Sequence, residues 1–288
     1  MEADSCKLSN LIKFCEGKGI RLFQSSKEMR TIYKKGDKGE KIGSGTLGQC
    51  FRVSGDTTDY VIKICQGENI YAHIYDEIKH LEKVQDIPGT QKLVGAYLEK
   101  TLIMTEYAGE PLDQYINKHN LGLDKLESII LQLAKITEQM ISRGLAHNDI
   151  KADNICIITK EDDVKVTLID FGLGTKLGEK VYKSSIPLEK IRQLFWMAPE
   201  VVRGGKVSEN SDIYSLAKLF NFIKGENKLP AHIKRWIADA ENEDPDMRPT
   251  LERLISRITK NQNTNEKVPS LKRKQEPEKD TPSKKICK

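Results

Sequence analysis

The sequence has no apolar run approaching the roughly eighteen residues that a membrane span requires. Its first ten residues, MEADSCKLSN, begin with acids and have no apolar centre of the kind a secretory leader carries. A soluble intracellular protein is therefore expected, with no membrane partner. There is no Cys-x-x-Cys pair either. Cys6, Cys15, Cys50, Cys65, Cys156 and Cys287 stand apart, which argues against a zinc ribbon or a dense disulfide framework and leaves them as buried or idle thiols. No segment repeats. Charge of one sign is scarce in the body of the chain: the formal net charge is +5, and residues 260–288, with nine Lys or Arg against four Asp or Glu, carry the whole excess. Specific nucleic-acid binding is not indicated.

What is present is enough for one large domain or two lobes sharing a core, with 288 residues of which 38% are apolar. Between Gly39 and Tyr60 apolar and polar residues alternate around glycines in GEKIGSGTLGQCFRVSGDTTDY, and YVIKIC follows; this predicts strands joined by tight turns. Further on, Leu126, Ile129, Ile130, Leu133, Ile136, Met140 and Ile141 recur at helical spacing and predict a core-facing helix over 124–142. SDIYSLAKLFNFI and PTLERLISRI add helices later. A β-rich first portion and a helical second portion predict an α+β fold of two lobes with a cleft between them. Two regions stand outside this plan. Residues 1–37 form an N-terminal extension in which LSNLIKFCEGKGIRLF reads either as a short amphipathic helix on the first lobe or as a flexible arm. Residues 259–288 read as a disordered basic tail, polar from Asn261 onward, with three prolines and no periodic apolar face.

Chemistry concentrates in a few motifs. GSGTLG places Gly43, Gly45 and Gly48 where missing side chains let backbone amides approach phosphate oxygens, although a plain hairpin turn reads the same way. The segment after it, QCFRV, reads as strand rather than helix, which argues against a dinucleotide fold. Lys63 lies between Val61, Ile62 and Ile64 on a strand sunk in the lobe and so needs an anionic partner. Glu77, in YDEIKHLEKV with Ile78 and Leu81 as core positions, is the best placed carboxylate for it, ahead of Asp76 and Glu82. HNDIKADN, residues 147–154, follows the predicted core helix and precedes VTLIDFG, so Asp149, Asn154 and Asp170 converge. Oxygen donors of this kind suit Mg²⁺ shared with phosphates rather than a histidine-rich metal site.

With GSGTLG, VIK, Glu77, HNDIKADN, DFG at 170–172, APE at 198–200, SDIYSL with Asp212 and Arg248 in MRPT all in order, residues 38–258 resemble the eukaryotic protein kinase family. The resemblance implies a two-lobed kinase fold, with an N-lobe over about 38–108 and a C-lobe over about 109–258. It implies an ATP-dependent kinase acting on protein substrates with Mg²⁺, or Mn²⁺ in its place. ATP contacts are then expected from Ile42, Gly43, Ser44, Gly45, Gly48, Cys50, Val61, Lys63, Glu77, Glu106, Ala108 and Asp113. Lys63 would hold the α- and β-phosphates and Glu77 would fix that lysine. Thr105 would guard the back of the pocket, backbone groups of Glu106 and Ala108 would face adenine, and Asp113 would bind ribose. Asn154 and Asp170 would ligate the metal. Asp149 would orient and deprotonate the attacking hydroxyl, and Lys151 would neutralise the transferred phosphoryl, which implies Ser/Thr substrates. Glu200 with Arg248, and Asp212 beneath the catalytic loop, would be structural.

The chain also departs from that pattern. Asn148 stands where most members have arginine, so activation by phosphorylation of the segment between DFG and APE is less expected, and Thr175, Tyr182, Ser184 and Ser185 read as solvated loop residues. Gln193 occupies the place of a threonine that contacts Asp149 and Lys151, and the helices after Asp212 are short. These departures motivate the alternative of a pseudokinase scaffold. A small-molecule kinase would share HND but lack APE. In the tail, Lys272-Arg273 and Lys284-Lys285 resemble a bipartite nuclear import signal, so an import carrier is an expected partner and the nucleus is favoured over the cytoplasm alone.

Overall fold

The computed structural model describes residues 2–45, 47–161, 163–182 and 186–266. Helix α1 (Glu2–Gly17) and the short α2 (Ser26–Met29) precede a five-stranded antiparallel sheet. Its strands are β1 (Glu40–Gly45), β2 (Gly48–Val53), β3 (Tyr60–Cys65), β4 (Leu93–Tyr97) and β5 (Leu102–Glu106), in the spatial order β1-β2-β3-β5-β4. Lys63 is thus on the middle strand, paired in register with Cys50 on one side and Ile103 on the other. Helix α3 (Ile70–Val84) presents Ile74, Ile78, Leu81 and Val84 as a buried stripe at helical spacing, with Glu77 buried beside it.

Residues 2–37 are part of this lobe rather than a flexible arm. Phe23 N donates to Ala96 O at 2.8 Å and Ala96 N to Arg21 O at 2.9 Å, so the segment after α1 covers the outer edge of β4 and removes an open sheet edge. Gly95 permits the approach: a Cβ there would lie 2.6 Å from Arg21 O.

The remaining chain is mainly helical. Strand β6 (Glu110–Pro111) pairs with β8 (Ile155–Lys160), which pairs with β9 (Asp163–Leu168); β7 (Leu145–Ala146) pairs with β10 (Thr175–Lys176). Around these pack α4 (Leu112–Lys118), α5 (Leu123–Ser142), α6 (Leu188–Gln193), α7 (Pro199–Val202), α8 (Ser211–Ile223), α9 (Ala231–Ala240) and α10 (Leu251–Glu266). The periodic residues of α5 are core: Leu126, Ile129, Ile130, Leu133 and Met140 are fully buried, and they share one cluster with Ile213, Phe220, Trp236, Leu254 and Ile258. No helix among the described residues is long and apolar enough to cross a membrane. The link between the lobes is pinned at Gly109, whose φ of +108° and a would-be Cβ 2.3 Å from Ile157 O leave no room for a side chain.

Helix α10 continues to Glu266, so the disordered tail expected from 259 does not begin there. Leu251, Leu254 and Ile258 anchor the helix in the core, and once a helix is nucleated each further residue is added at little cost even when polar. The basic pairs at 272–273 and 284–285 lie outside the described residues.

A buried ion pair ties α7 to the turn before α10. Arg248 donates from both terminal nitrogens to Glu200 at 2.8 Å and from all its nitrogens together to the carbonyls of Asn242, Asn210 and Glu243. Its side chain is wholly enclosed. Truncating one partner strands the other charge, so Arg248→Ala is expected to lose about 3–5 kcal/mol in urea unfolding. Replacing both partners with apolar residues, as in Glu200→Leu with Arg248→Met, is expected to cost less than Arg248→Ala alone.

Candidate active site

The cleft between sheet and helical lobe is closed at its back by three charges. Lys63 Nζ lies 2.8 Å from both Glu77 carboxylate oxygens and 3.3 Å from Asp170 Oδ1. Burial alone would lower the Lys63 pKa, but the two carboxylates override it and raise it, so the ammonium stays charged. Burial likewise opposes ionisation of Asp170, yet the nearby Lys63 holds its carboxyl below the usual range. Gln91 braces this corner: its Nε2 donates to Thr105 Oγ1 at 3.1 Å while its Oε1 accepts from Asp170 N at 3.1 Å. The back-wall threonine and the metal-type aspartate are thereby tied together by a residue that no sequence motif marks.

The hairpin of β1 and β2 forms the roof. Gly48 is demanded by the chain itself, since a Cβ there would sit 1.9 Å from Ile64 O. Gly43 and Gly45 are different: the nearest atom to a Cβ at Gly43 is 4.0 Å away, and at Gly45 nothing lies within 4 Å. Their bare backbone therefore answers no internal crowding, which fits a loop that receives an external group. Ile42, Cys50 and Val61 are half-buried under the roof strands, and Ser44 is exposed. Burial pushes the Cys50 thiol up, and pushes that of Cys156 up to about 12, so both are held as neutral thiols.

At the linking segment Thr105 is buried, Glu106 is exposed with its N–H bound to Lys92 O at 2.9 Å, and Ala108 is half-buried. Asp113 opens α4, and its Oδ1 is buried without a hydrogen-bond partner. Such an oxygen calls for a donor from outside the chain.

The floor is the loop 147–154. Asp212 at the start of α8 accepts His147 N at 2.6 Å and Asn148 N at 2.8 Å, which fixes a backbone that reaches φ +63° at Asn148. Asn148 Nδ2 in turn donates to Leu173 O at 3.1 Å. Asp149 has the most engaged side chain of this loop. Its Oδ2 accepts Asn154 Nδ2 at 2.6 Å and lies 3.4 Å from Lys151 Nζ, and its Oδ1 accepts the Trp196 indole N–H at 2.9 Å. Burial is the leading influence on Asp149 and raises its pKa despite Lys151. Ile169 N donates to Asn154 O at 2.9 Å, so Asn154 is seated beside the Asp170 turn.

Trp196, like Gln91, is a residue of the cleft that sequence reasoning missed. Gln193, which stands at the place of the family's threonine, is exposed at the end of α6. The turn after it, closed by Met197 N donating to Leu194 O at 2.9 Å, carries Trp196 inward instead, with Lys151 Nζ 4.8 Å above its ring. Thr175 also departs from expectation: it is buried in β10 and its hydroxyl donates to Leu173 O at 3.0 Å, so it is not a solvated loop residue. Tyr182 is half-buried, with its hydroxyl pKa raised by burial and then by Asp149. Ser184 and Ser185 lie outside the described residues.

The structure thus gathers Lys63, Glu77 and Asp170 into one group and Asp149, Lys151 and Asn154 into another. No group of three or more His, Cys, Asp or Glu among the described residues is arranged to hold a metal. Asn154 and Asp170 offer oxygen ligands only, a sparse hard set that fits a Mg²⁺ ion sharing its remaining positions with phosphate and water. If the indole and ammonium contacts reach the carboxylate, Trp196→Phe and Lys151→Met are each expected to move the Asp149 titration to higher pH, read by NMR of labelled aspartate. Unchanged titration in both would show that neither contact is felt.

Residues 37–276 match the family model described as "Protein kinase domain". Among curated proteins the chain is 28% identical over 249 residues, 75% of its length, to the "Membrane-associated tyrosine- and threonine-specific cdc2-inhibitory kinase" of Drosophila melanogaster. It is 26% identical over 63% of its length to the "Tyrosine-protein kinase transforming protein Fps" of Avian sarcoma virus (strain PRCII), and 27% identical over the same share to the protein of that name from Fujinami sarcoma virus. The matched stretches are 45%, 35% and 21% of those proteins, so the chain spans less than half the length of each. A family match over most of the chain, on a sheet-and-helix cleft whose charged groups lie where the family's motifs fall, establishes that this chain belongs to the protein kinase family.

Proposed function

We propose that the protein is an active ATP-dependent kinase that phosphorylates serine and threonine hydroxyls of protein substrates, using Mg²⁺, with Mn²⁺ able to stand in. The observation that carries this reading is Lys63 held between Glu77 and Asp170 across the cleft, a charged ammonium aimed where the phosphates of a nucleotide would lie. Bound Mg²⁺ supplies charge neutralisation to the phosphates, and Asn154 and Asp170 would hold it. Lys63 binds α- and β-phosphate oxygens, and amides of the Gly43–Gly48 loop cover them. The carbonyl of Glu106 and backbone of Ala108 receive adenine, and the unpartnered oxygen of Asp113 accepts a ribose hydroxyl.

Asp149 accepts the proton of the substrate hydroxyl as its oxygen bonds to the γ-phosphorus. The bond from that phosphorus to the β,γ-bridging oxygen breaks, and ADP departs. Lys151, held between Asp149 and Asp153 at 3.4 Å from each, places positive charge beside the transferred group, where electrostatics and alignment supply most of the acceleration. The Lys151 placement supports Ser/Thr substrates. Two of the relatives above are named for tyrosine and one for tyrosine and threonine, so the hydroxyl class is the finer point to test.

Purified protein with labelled ATP and Mg²⁺ is expected to label a generic protein substrate on serine and threonine, read by phosphoamino-acid analysis. Asp149→Asn is expected to lower the rate by about 10²–10⁴-fold. Because the active form of Asp149 is the carboxylate and its pKa is raised, kcat/KM should fall with decreasing pH above the ordinary carboxylate range. Equal labelling by wild type and Asp149→Asn would defeat the enzyme reading in favour of a scaffold, and label on tyrosine alone would overturn the Ser/Thr reading.

We also propose that the basic pairs at 272–273 and 284–285 engage a nuclear import carrier. A fluorescent fusion of residues 261–288 is expected to enter the nucleus, and Lys284→Ala with Lys285→Ala to abolish entry; diffuse signal from both would reject the idea.

A further inference from the structure

Residues 2–36 precede the stretch that matches the family, yet their helix is built into the same core as α3. Leu11 and Cys15 are fully buried in one cluster with Ile74, Ile78 and Ile103, and Leu8, Ile12 and Phe14 pack against it. The contact runs the length of α3. At its start Lys7 Nζ donates to Asn69 Oδ1 at 2.6 Å; at its middle the Phe14 ring meets Tyr75 edge-on at 5.2 Å; near its end Lys18 pairs with Glu82 at 2.9 Å. The far end of α1 is fastened to the sheet, because Ile20 N closes onto Cys15 O at 2.9 Å and Arg21–Phe23 bond to Ala96.

Helix α3 needs that support. The residue at its N-cap, Asn69, is in the left-handed region at φ +54°, makes no side-chain capping bond, and no acid follows in the first turn. Local signals therefore do little to fix where the helix begins, and tertiary packing must place it. Glu77 lies between Ile74 and Ile78, which share one buried cluster with Leu11 and Cys15 of α1, so the packing of α1 bears on the position of the carboxylate that fixes Lys63.

We propose that α1 is a positioning element for phosphoryl transfer: it clamps α3 so that Glu77 meets Lys63, and its release disengages the pair without unfolding the helical lobe. Leu11 and Phe14 are the positioning residues. For its activity readout this rests on the kinase reading above; its structural readout does not.

The test uses the full chain carrying Leu11→Ala with Phe14→Ala, beside the conservative pair Leu11→Met with Phe14→Leu. Hydrogen exchange is followed in α3 (70–84) and, as an internal control, in α8 (211–223), together with kcat and KM. The double alanine variant is expected to exchange at least about 10-fold faster in α3 with α8 unchanged, and to lose about 10-fold or more in kcat with little change in KM for the protein substrate. The conservative pair should restore both. Unchanged exchange in α3, or faster exchange with wild-type kcat, overturns the proposal. So does loosening of α3 and α8 together in both variants, since α1 would then be an undifferentiated part of the fold. If the wild-type protein transfers no phosphate the kinase reading fails, and selective loosening of α3 alone still decides whether α1 places it.

Discussion

A lysine on the middle strand of a five-stranded sheet cannot be left alone: deprived of water, its ammonium needs a carboxylate or it loses its proton. In this chain Glu77 meets that need with two bonds of 2.8 Å, and Asp170 adds a third contact from the opposite lobe. Much of the architecture exists to bring three residues so distant in sequence together. Helix α3 carries one, strand β3 another, and the turn after β9 the third. The pair alone is no gain in stability, since burying two charges costs about as much as their attraction returns. Its retention in a cleft lined by bare glycines is better understood as preparation for a polyanion, whose charge Lys63 can take up without further rearrangement.

The same logic governs the floor of the cleft. Asp212, fully buried, spends both oxygens on the amides of His147 and Asn148, and this holds the loop in a conformation that its sequence does not favour. Asp149 then emerges with one oxygen shared by Asn154 and Lys151 and the other on Trp196. Three of its roughly four acceptor sites are engaged before any substrate arrives, so an incoming hydroxyl enters a prearranged network rather than organising one.

Which parts of this were legible in the sequence follows from the range of the interactions. The helix over 124–142 was readable because apolar spacing is a local signal, and α5 spans Leu123–Ser142. The Lys63–Glu77 pairing was readable because an apolar strand leaves a lysine only one way to survive, and the nearby helix supplies one carboxylate on its inner face. Gln91, Trp196 and the clamp of α1 on α3 were not. Each depends on a contact made by long-range packing, and nothing in the spacing of LSNLIKFCEGKGIRLF says which face of which helix it will cover. The boundary at 259 failed for another reason. Polar composition argues against a core, but α10 needs only its first turns buried to carry the helix onward to Glu266.

The two charged groups are also joined through the apolar wedge Phe171. Its ring is fully buried against His147 at 4.8 Å, and its carbonyl lies 3.1 Å from His80 Nδ1 on α3. Burial lowers the pKa of both histidines, so they stay neutral, each ring with one nitrogen to donate and one to accept. Gly174 leaves no slack beside them, because a Cβ there would lie 2.8 Å from the His80 ring. A shift of α3 therefore cannot be absorbed locally: it draws on Phe171, which packs on His147, which is bonded to Asp212 and to Ile169 O at 3.1 Å. Close-packed interiors transmit displacement in this way because they have no free volume in which to lose it. A continuous chain of close contacts therefore joins α3 in the sheet lobe to the Asp212 carboxylate in the helical lobe.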